Sequence, residues 1–520
     1  MMKEPLPYYT NASSTKRIAR NTLMLYFRQM LIMAVNLYTV RVMLNTLGAE
    51  DYGIYNVVAG VVTMFGFVNN AMATASQRYL SFALGQDDGI QLKRYFSMSL
   101  TIHCLIALAV VGIAETAGLW LVEHNLVIPA QRQQAVIWIY QASIFSTMCT
   151  MLTAPFMAAI IAHEDMDIYA YVSIVEVGLK LGIACILPLF ATDRLILYSL
   201  LMALIVLVTA AIYSTICVKR YAECRGGLLR DKALFKEMSS YTGWNMFGSA
   251  SGVLKNQMVN IILNQFFSLT VNTARGIAYQ VNGAVSSFAQ NFTTAVRPQI
   301  IKSYASGERD RMLQFMSRSC KATLLLMYIF ALPLILEMPY VLHLWLKEVP
   351  EHAVLFTRLA LSDALLDSVS YPLMAAAQAT GRVRLYQSVV GGVLLLNAPA
   401  AYTVLRWGGE PHSVFAVSIG ITMLAFVVRL LILRHLIDLS FWNFIRRILL
   451  PLVSSVAIAA IVPCLARKTM AEGFLRLCVT TAISVASVGT SGYFVALSKS
   501  ERVWMRRTAC GRFGRRNKRT

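Results

Sequence analysis

Asp363 and Asp367 stand one helical turn apart in an otherwise apolar stretch, and Tyr371 follows a turn later. Two carboxylates on one helix face can bind Na⁺, or share a proton because each charge disfavours ionisation of the other. They can equally pair with basic residues of neighbouring segments, or face outward near a helix end. Basic residues also occur inside apolar stretches: Arg28, Arg41, Arg78, Lys180, Lys255, Arg275, Arg297, Arg358 and Arg429. A Lys or Arg at the centre of a bilayer costs about 2.5–3.5 kcal/mol on the insertion scale, so such a set needs water, partners or a ligand. Lys180 has Glu176 one turn before it, a spacing that predicts a self-neutralising pair. For Arg41 and Arg429 the expectation is snorkelling from helix ends; Arg78 and Arg297 are open to that reading and also to guiding a substrate in at the cytoplasmic end. Arg28, Lys255 and Arg275 have no acidic residue within a turn on their own segment and are the candidates for holding an anion. A guanidinium suits phosphate because its planar fork bonds two oxygens at once.

Uncharged polar residues are patterned around these charges. Asn272, Arg275, Tyr279, Asn282, Ser286, Gln290, Thr293 and Arg297 recur at steps of three or four, which puts them on one stripe of a helix. Ile277, Val281, Val285, Phe288, Phe292 and Val296 take the opposite face. Such a stripe must be hidden from lipid, either in a tight polar contact or along a wet cavity. A packing seam favours small residues, and this stripe holds arginine, asparagine and glutamine, so the cavity is the favoured expectation. Asn56, Thr63, Asn70, Thr74, Gln77 and Ser81 form a second stripe with Arg78 beside it. Arg28, Gln29, Asn36 and Thr39 share one face, as do Asn256, Gln257, Asn260 and Asn264 with Lys255 to the side. The expectation is a central polar chamber flanked by two halves of the chain.

The elements that must carry these residues are membrane-spanning helices. Apolar residues make up 57% of the 520 residues and charged residues 14%, against about 25% charged in a soluble domain. The mean hydropathy is +0.58. The pattern predicts an all-α integral membrane protein of about 14 transmembrane helices between residues 21 and 497; the runs lack the alternation of a β-barrel. The segment Pro155–Ala162 returns as Pro372–Ala379, followed at the same distance by Ile168-Tyr169 and Leu385-Tyr386. This is a parallel repeat with a period of about 217 residues, the usual plan of a transporter with its path between the halves. It predicts a six-helix bundle over 1–218, a basic linker over 219–238, a second six-helix bundle over 239–436, two extra helices over 437–497 and a basic tail over 498–520.

The net charge of +21 does not point to nucleic acid. Most Lys and Arg fall in alternate loops and the tail, the positive-inside bias of a multi-pass protein with both termini cytoplasmic; such a face also attracts anionic lipids. One outer loop, with Arg467, Lys468 and Arg476, breaks the pattern. Most of the nine cysteines lie inside spans and act as small apolar residues. The first span is too long for a cleaved signal and reads as an anchor. Gly178…Gly182 and Gly248…Gly252 predict close helix packing. The turn His163-Glu164-Asp165-Met166-Asp167 reads as solvated rather than metal-binding. With no Walker motif, no Gly-rich phosphate loop and no catalytic constellation, neither ATP nor another cofactor is expected, and an enzyme is not.

Two stretches resemble a known family. Leu47-Gly48-Ala49-Glu50-Asp51-Tyr52-Gly53-Ile54-Tyr55 is similar to the Leu-Gly…Tyr-Gly-hydrophobic-Tyr motif of bacterial polysaccharide flippases. Val271–Val285 and Arg297–Tyr304 resemble the lipopolysaccharide-biosynthesis branch of that group, within the multidrug/oligosaccharidyl-lipid/polysaccharide flippase superfamily. The resemblance implies twelve core helices in two bundles, and export of an undecaprenyl-pyrophosphate-linked oligosaccharide such as an O-antigen unit across the bacterial inner membrane. For such a substrate, the polar stripes and the charges within spans, rather than the resemblance, place Arg28, Arg275 and Lys255 on the anionic headgroup, Asn36, Asn70, Asn282 and Gln290 on polar groups of the substrate, and Arg78 and Arg297 at the cytoplasmic entrance. Asp363 and Asp367 would couple transport to H⁺ or Na⁺, and a glycan polymerase or glycosyltransferases are the implied partners. A cation-coupled multidrug antiporter and an intramembrane glycan polymerase or acyltransferase are the alternatives. The multidrug branch commonly has acidic residues in its first or seventh span, and neither span has one here.

Overall fold

The computed structural model describes residues 11–125, 129–190, 192–267, 269–346, 348–499 and 501–503. Most of the basic tail lies outside the described residues. Among those residues the chain is helical with short connections and no strand. Ten helices are long and apolar enough to cross a membrane, and a bent pair, Glu50–Val62 with Gly66–Gln86, makes an eleventh candidate. Three further helical segments complete the order: Lys232–Phe266, Leu269–Ala305, and the pair Ala353–Ser368 and Ser370–Ala379. The first two carry the polar stripes and the third carries the two aspartates, which is why composition alone passes them over. The architecture is that of a multi-pass membrane protein.

Several expected spans are not single straight helices, among them the second, expected over about 53–84. The second bends by 49°, so Asn56 lies on a different axis from Asn70, Thr74, Gln77 and Ser81, and the single stripe read from the sequence is broken. Ahead of it the chain turns at Gly48 (φ 81°, ψ 168°), a conformation open to glycine and strained for other residues. The tenth expected span, over about 354–380, is divided into two helical segments at Val369, whose own backbone stays helical (φ −64°, ψ −26°).

The chain forms two compact units. The first comprises Arg20–Ala250 with Ile301–Gly307; the second is built on Ser251–Ile300 and the chain from Glu308 onward. In the first unit, Val58, Val62, Val136, Ile139 and Tyr140 form part of an apolar cluster. The turn expected to be solvated is instead a buried knot. Glu164 caps its helix in the left-handed region (φ 66°), and its carboxylate, 0% exposed, lies 2.8 Å from Lys302 Nζ. Asn21 Nδ2 donates to the Glu164 carbonyl at 2.9 Å. His163 stacks on Tyr221 at 4.2 Å and reaches Glu223 through Nε2 at 2.6 Å, while Tyr221 donates to Asp165 at 2.6 Å. The sequence conceals this because Lys302 is 138 residues away.

Glycine packing also differs from expectation. Gly178, Gly182 and Gly252 face open space where a Cβ would stand, so their spacing does not mark a close helix contact. One close approach of backbone to backbone is at Gly85, where a Cβ would lie 2.7 Å from the Lys302 carbonyl oxygen.

In the second unit Ala274, Ala278, Val285, Phe356 and Phe415 belong to one core cluster. The two extra helices, Leu450–Thr469 and Phe474–Ser491, pack on Arg309–Trp345. That long helix departs from helical geometry at Glu337 (φ −99°, ψ 18°), between Pro333 and Pro339. Glu337 is fully buried and accepts from Arg476 Nε at 3.0 Å and Nη2 at 2.8 Å, and from Thr480 Oγ1 at 3.2 Å. Arg467 lies 3.9 Å from the same carboxylate. The basic residues that break the positive-inside pattern therefore include two that serve Glu337. Tyr328 donates to the Val456 carbonyl at 3.0 Å, and Lys321 pairs with Glu501 at 2.9 Å.

Candidate functional site

The second unit has a partly open cavity of about 310 Å³. Tyr279, Asn282, Ser286 and Gln290 reach it from Leu269–Ala305; the spacing of three and four that defined the stripe sets four polar side chains on one wall. Lys232–Phe266 supplies Gly252, Lys255 and Asn256. Asp363 and Asp367 come from Ala353–Ser368, and Tyr371 from Ser370–Ala379. Ser413–Ile437 supplies Thr422, Ala425 and Arg429.

Two ion pairs organise this cavity. Lys255 Nζ lies 3.3 Å from Asp363 Oδ2 and donates to Thr422 Oγ1 at 2.9 Å. Arg429 Nη1 lies 2.9 Å from Asp367 Oδ1. Lys255 and Asp363 are 11% and 17% exposed, whereas Asp367 is 37% exposed beside an Arg429 that is 5% exposed, so Asp367 is the more open carboxylate. The pairing matters because removing one partner of a buried pair leaves an uncompensated charge. Asp363 Oδ1 is buried and, among the described residues, accepts no hydrogen bond. Asn397, fully buried, donates to the Lys255 carbonyl at 3.4 Å and accepts from Ser418 at 3.2 Å. One asparagine thus ties the Lys255 helix to the Thr422 helix.

The structure therefore brings Lys255, Asn282, Gln290, Asp363 and Asp367 to one cavity and leaves the other sequence candidates elsewhere. Arg275 is absent from the lining. It donates to the Asn256 carbonyl at 3.0 Å and to Asn260 Oδ1, with its guanidinium 4.3 Å from the centre of the Tyr279 ring. Arg297 is half-buried outside the cavity lining. In the first unit, buried Arg28 donates to Ser173 Oγ at 3.3 Å and lies 4.4 Å over Tyr169. Arg78 is buried among Tyr79, Phe82 and Tyr241. Asn36 and Asn70 are exposed on that unit. Lys180 meets Glu176 at 2.6 Å, as their spacing predicts.

Arg429 corrects an expectation: it is held inside by Asp367 rather than snorkelling. Sequence reasoning also missed Thr422 and Asn397. A signal existed for Thr422, because Ser418, Thr422, Ala425 and Arg429 recur at helical spacing. The repeat adds an asymmetry. Its offset places Ser146 and Thr150 where the second half has Asp363 and Asp367. Both hydroxyls bond their own helix, at 2.7 Å to Ala142 O and 2.8 Å to Ser146 O. At these positions the aspartates belong to the second half alone.

No family model matches the sequence, and no curated protein matches it. Solved structures do match in shape. A multidrug resistance MATE family transporter of the MOP superfamily, in an outward-facing conformation, superposes with a TM-score of 0.73 at 12% identity, over 82% of this chain and 96% of that one. The MATE transporter ClbM in complex with Rb⁺ gives 0.68 at 15% identity, over 83% and 96%. A MOP superfamily transporter from Pyrococcus furiosus, described as having a binding pocket of reverse polarity, gives 0.66 at 13% identity, over 81% and 96%. The chain has the fold of the MATE transporters of the MOP superfamily.

Proposed function

We propose that this protein is a transporter that moves an undecaprenyl-pyrophosphate-linked oligosaccharide from the inner to the outer leaflet of a bacterial inner membrane, by alternating access, for polysaccharide or lipopolysaccharide synthesis. One observation carries the reading. Arg28 and Arg275 each lie over a tyrosine ring in a helix of membrane-spanning length, and among the described residues neither has a carboxylate at ion-pair distance. A buried guanidinium without a counter-charge is costly to keep in a membrane protein, and an anionic ligand offsets that cost. A pyrophosphate supplies such a charge. Asn36, Asn70, Asn282 and Gln290 would bond polar groups of the glycan, and Arg78 and Arg297 would serve its entry. Asp363 and Asp367 would be the coupling element, with H⁺ or Na⁺ competing against Lys255 and Arg429 for the carboxylates.

Replacing Arg28 and Arg275 together by Ala is expected to cut glycan export at least tenfold at unchanged membrane levels, measured by surface glycan in complemented cells. Undiminished export would remove both residues from substrate binding. A cation-coupled multidrug antiporter is the second reading, favoured by the MATE fold of the neighbours. It requires drug efflux that depends on Asp363 and Asp367 but not on Arg28 and Arg275. Their pairing with basic residues counts against a cationic drug, which would have to displace a charge already in place.

A further inference from the structure

Lys255 reaches into the cavity between a carboxylate and a hydroxyl. Its ammonium touches a carboxylate oxygen and a hydroxyl oxygen, Asp363 Oδ2 at 3.3 Å and Thr422 Oγ1 at 2.9 Å. The second carboxylate oxygen, Asp363 Oδ1, is buried with no donor among the described residues, and Asn282 and Ser286 line the same cavity. Carboxylate, hydroxyl and amide oxygens are the ligands that hard cations prefer. The lysine's own backbone is fixed by Asn397 at 3.4 Å. Within one cavity, then, an oxygen-rich seat is filled by a +1 charge on a stem anchored to the wall.

We infer that Lys255 is a tethered cation that substitutes for a free alkali ion, so that the native protein binds no Na⁺ at Asp363. Removing its ammonium exposes a latent Na⁺ site formed by Asp363 and Thr422. The tether explains the exclusion. An intramolecular ligand competes at a high effective concentration, and displacing it would leave the Lys255 ammonium partly buried and unpaired. Arg429 meanwhile keeps Asp367 neutralised, so removal of Lys255 leaves one net negative charge facing the cavity. This inference rests on the coupling role proposed for Asp363 and narrows its ion there from H⁺ or Na⁺ to H⁺, while standing apart from the glycan.

The test uses the purified full-length protein and ²²Na⁺ as the probe, with N-methylglucamine chloride holding the ionic strength constant. The native protein is expected to show no saturable binding. Lys255→Ala is expected to bind close to one Na⁺ per chain, and Lys255→Ala with Asp363→Asn to bind none. Lys255→Met, which keeps most of the stem, serves if the alanine variant does not fold, and is expected to gain the same site. Saturable Na⁺ binding by the native protein that is lost in Asp363→Asn would overturn the inference. So would a folded Lys255→Ala or Lys255→Met that binds no Na⁺. Because no glycan is present, failure here leaves leaflet export untouched, and failure of glycan export leaves this result standing.

Discussion

Arg476→Ala is expected to destabilise the second unit by about 3–5 kcal/mol, the cost of stranding one member of a buried ion pair. Glu337 is fully buried and takes two hydrogen bonds from Arg476, at 2.8 and 3.0 Å. Thr480 donates at 3.2 Å but brings no charge, and Arg467 stands off at 3.9 Å. The measurement is thermal and denaturant unfolding of the purified protein. Arg476→Lys is expected to recover only part of the loss, because an ammonium lacks the planar fork. Glu337→Leu with Arg476→Leu is expected to fall within about 1–2 kcal/mol of the native protein, since removing both charges leaves none unpaired. A loss below 1 kcal/mol for Arg476→Ala would mean that water or Arg467 neutralises Glu337 unaided.

The second large effect is at the cavity. Asp367→Ala leaves Arg429, 5% exposed, without its carboxylate, and about 3 kcal/mol or more of stability is expected to go with it. Arg429→Met alone leaves the carboxylate more accessible to water, because Asp367 is 37% exposed, and is expected to cost less. With both changes the two effects are expected to be non-additive by at least 1 kcal/mol, the signature of residues in direct contact. Transport should behave differently. The double variant regains stability but lacks the carboxylate, so export is expected to stay low in Asp367→Ala and in the double variant alike. If export returned with stability, Asp367 would be a structural residue only.

These cases show which parts of the molecule were legible in the sequence. Helical periodicity is local, so the stripe through Tyr279, Asn282, Ser286 and Gln290 could be read directly, and it is the wall of the cavity. Asp363 and Asp367, one turn apart, were equally visible. Their partners were not: Lys255 is 108 residues from Asp363, and Arg429 is 62 from Asp367. Periodicity within a segment does not say which segments adjoin. Arg476 looked like an exception to a charge rule because Glu337, 139 residues earlier, lies in another helix. Helix bends were hidden for a related reason. The 49° break after Val62 and the departure from helical geometry at Glu337 fall inside runs that read as single spans. The repeat predicts a two-fold plan and, by comparing Ser146 and Thr150 with Asp363 and Asp367, shows where its two copies differ.

The most direct test of the account is leaflet-resolved labelling of lipid-linked glycans in cells that lack this protein. The account predicts that a complete undecaprenyl-pyrophosphate-linked oligosaccharide accumulates on the cytoplasmic face of the inner membrane, and that re-expression clears it. Normal delivery of that glycan to the outer face, together with new sensitivity to cationic drugs, would contradict the flippase reading and favour an antiporter.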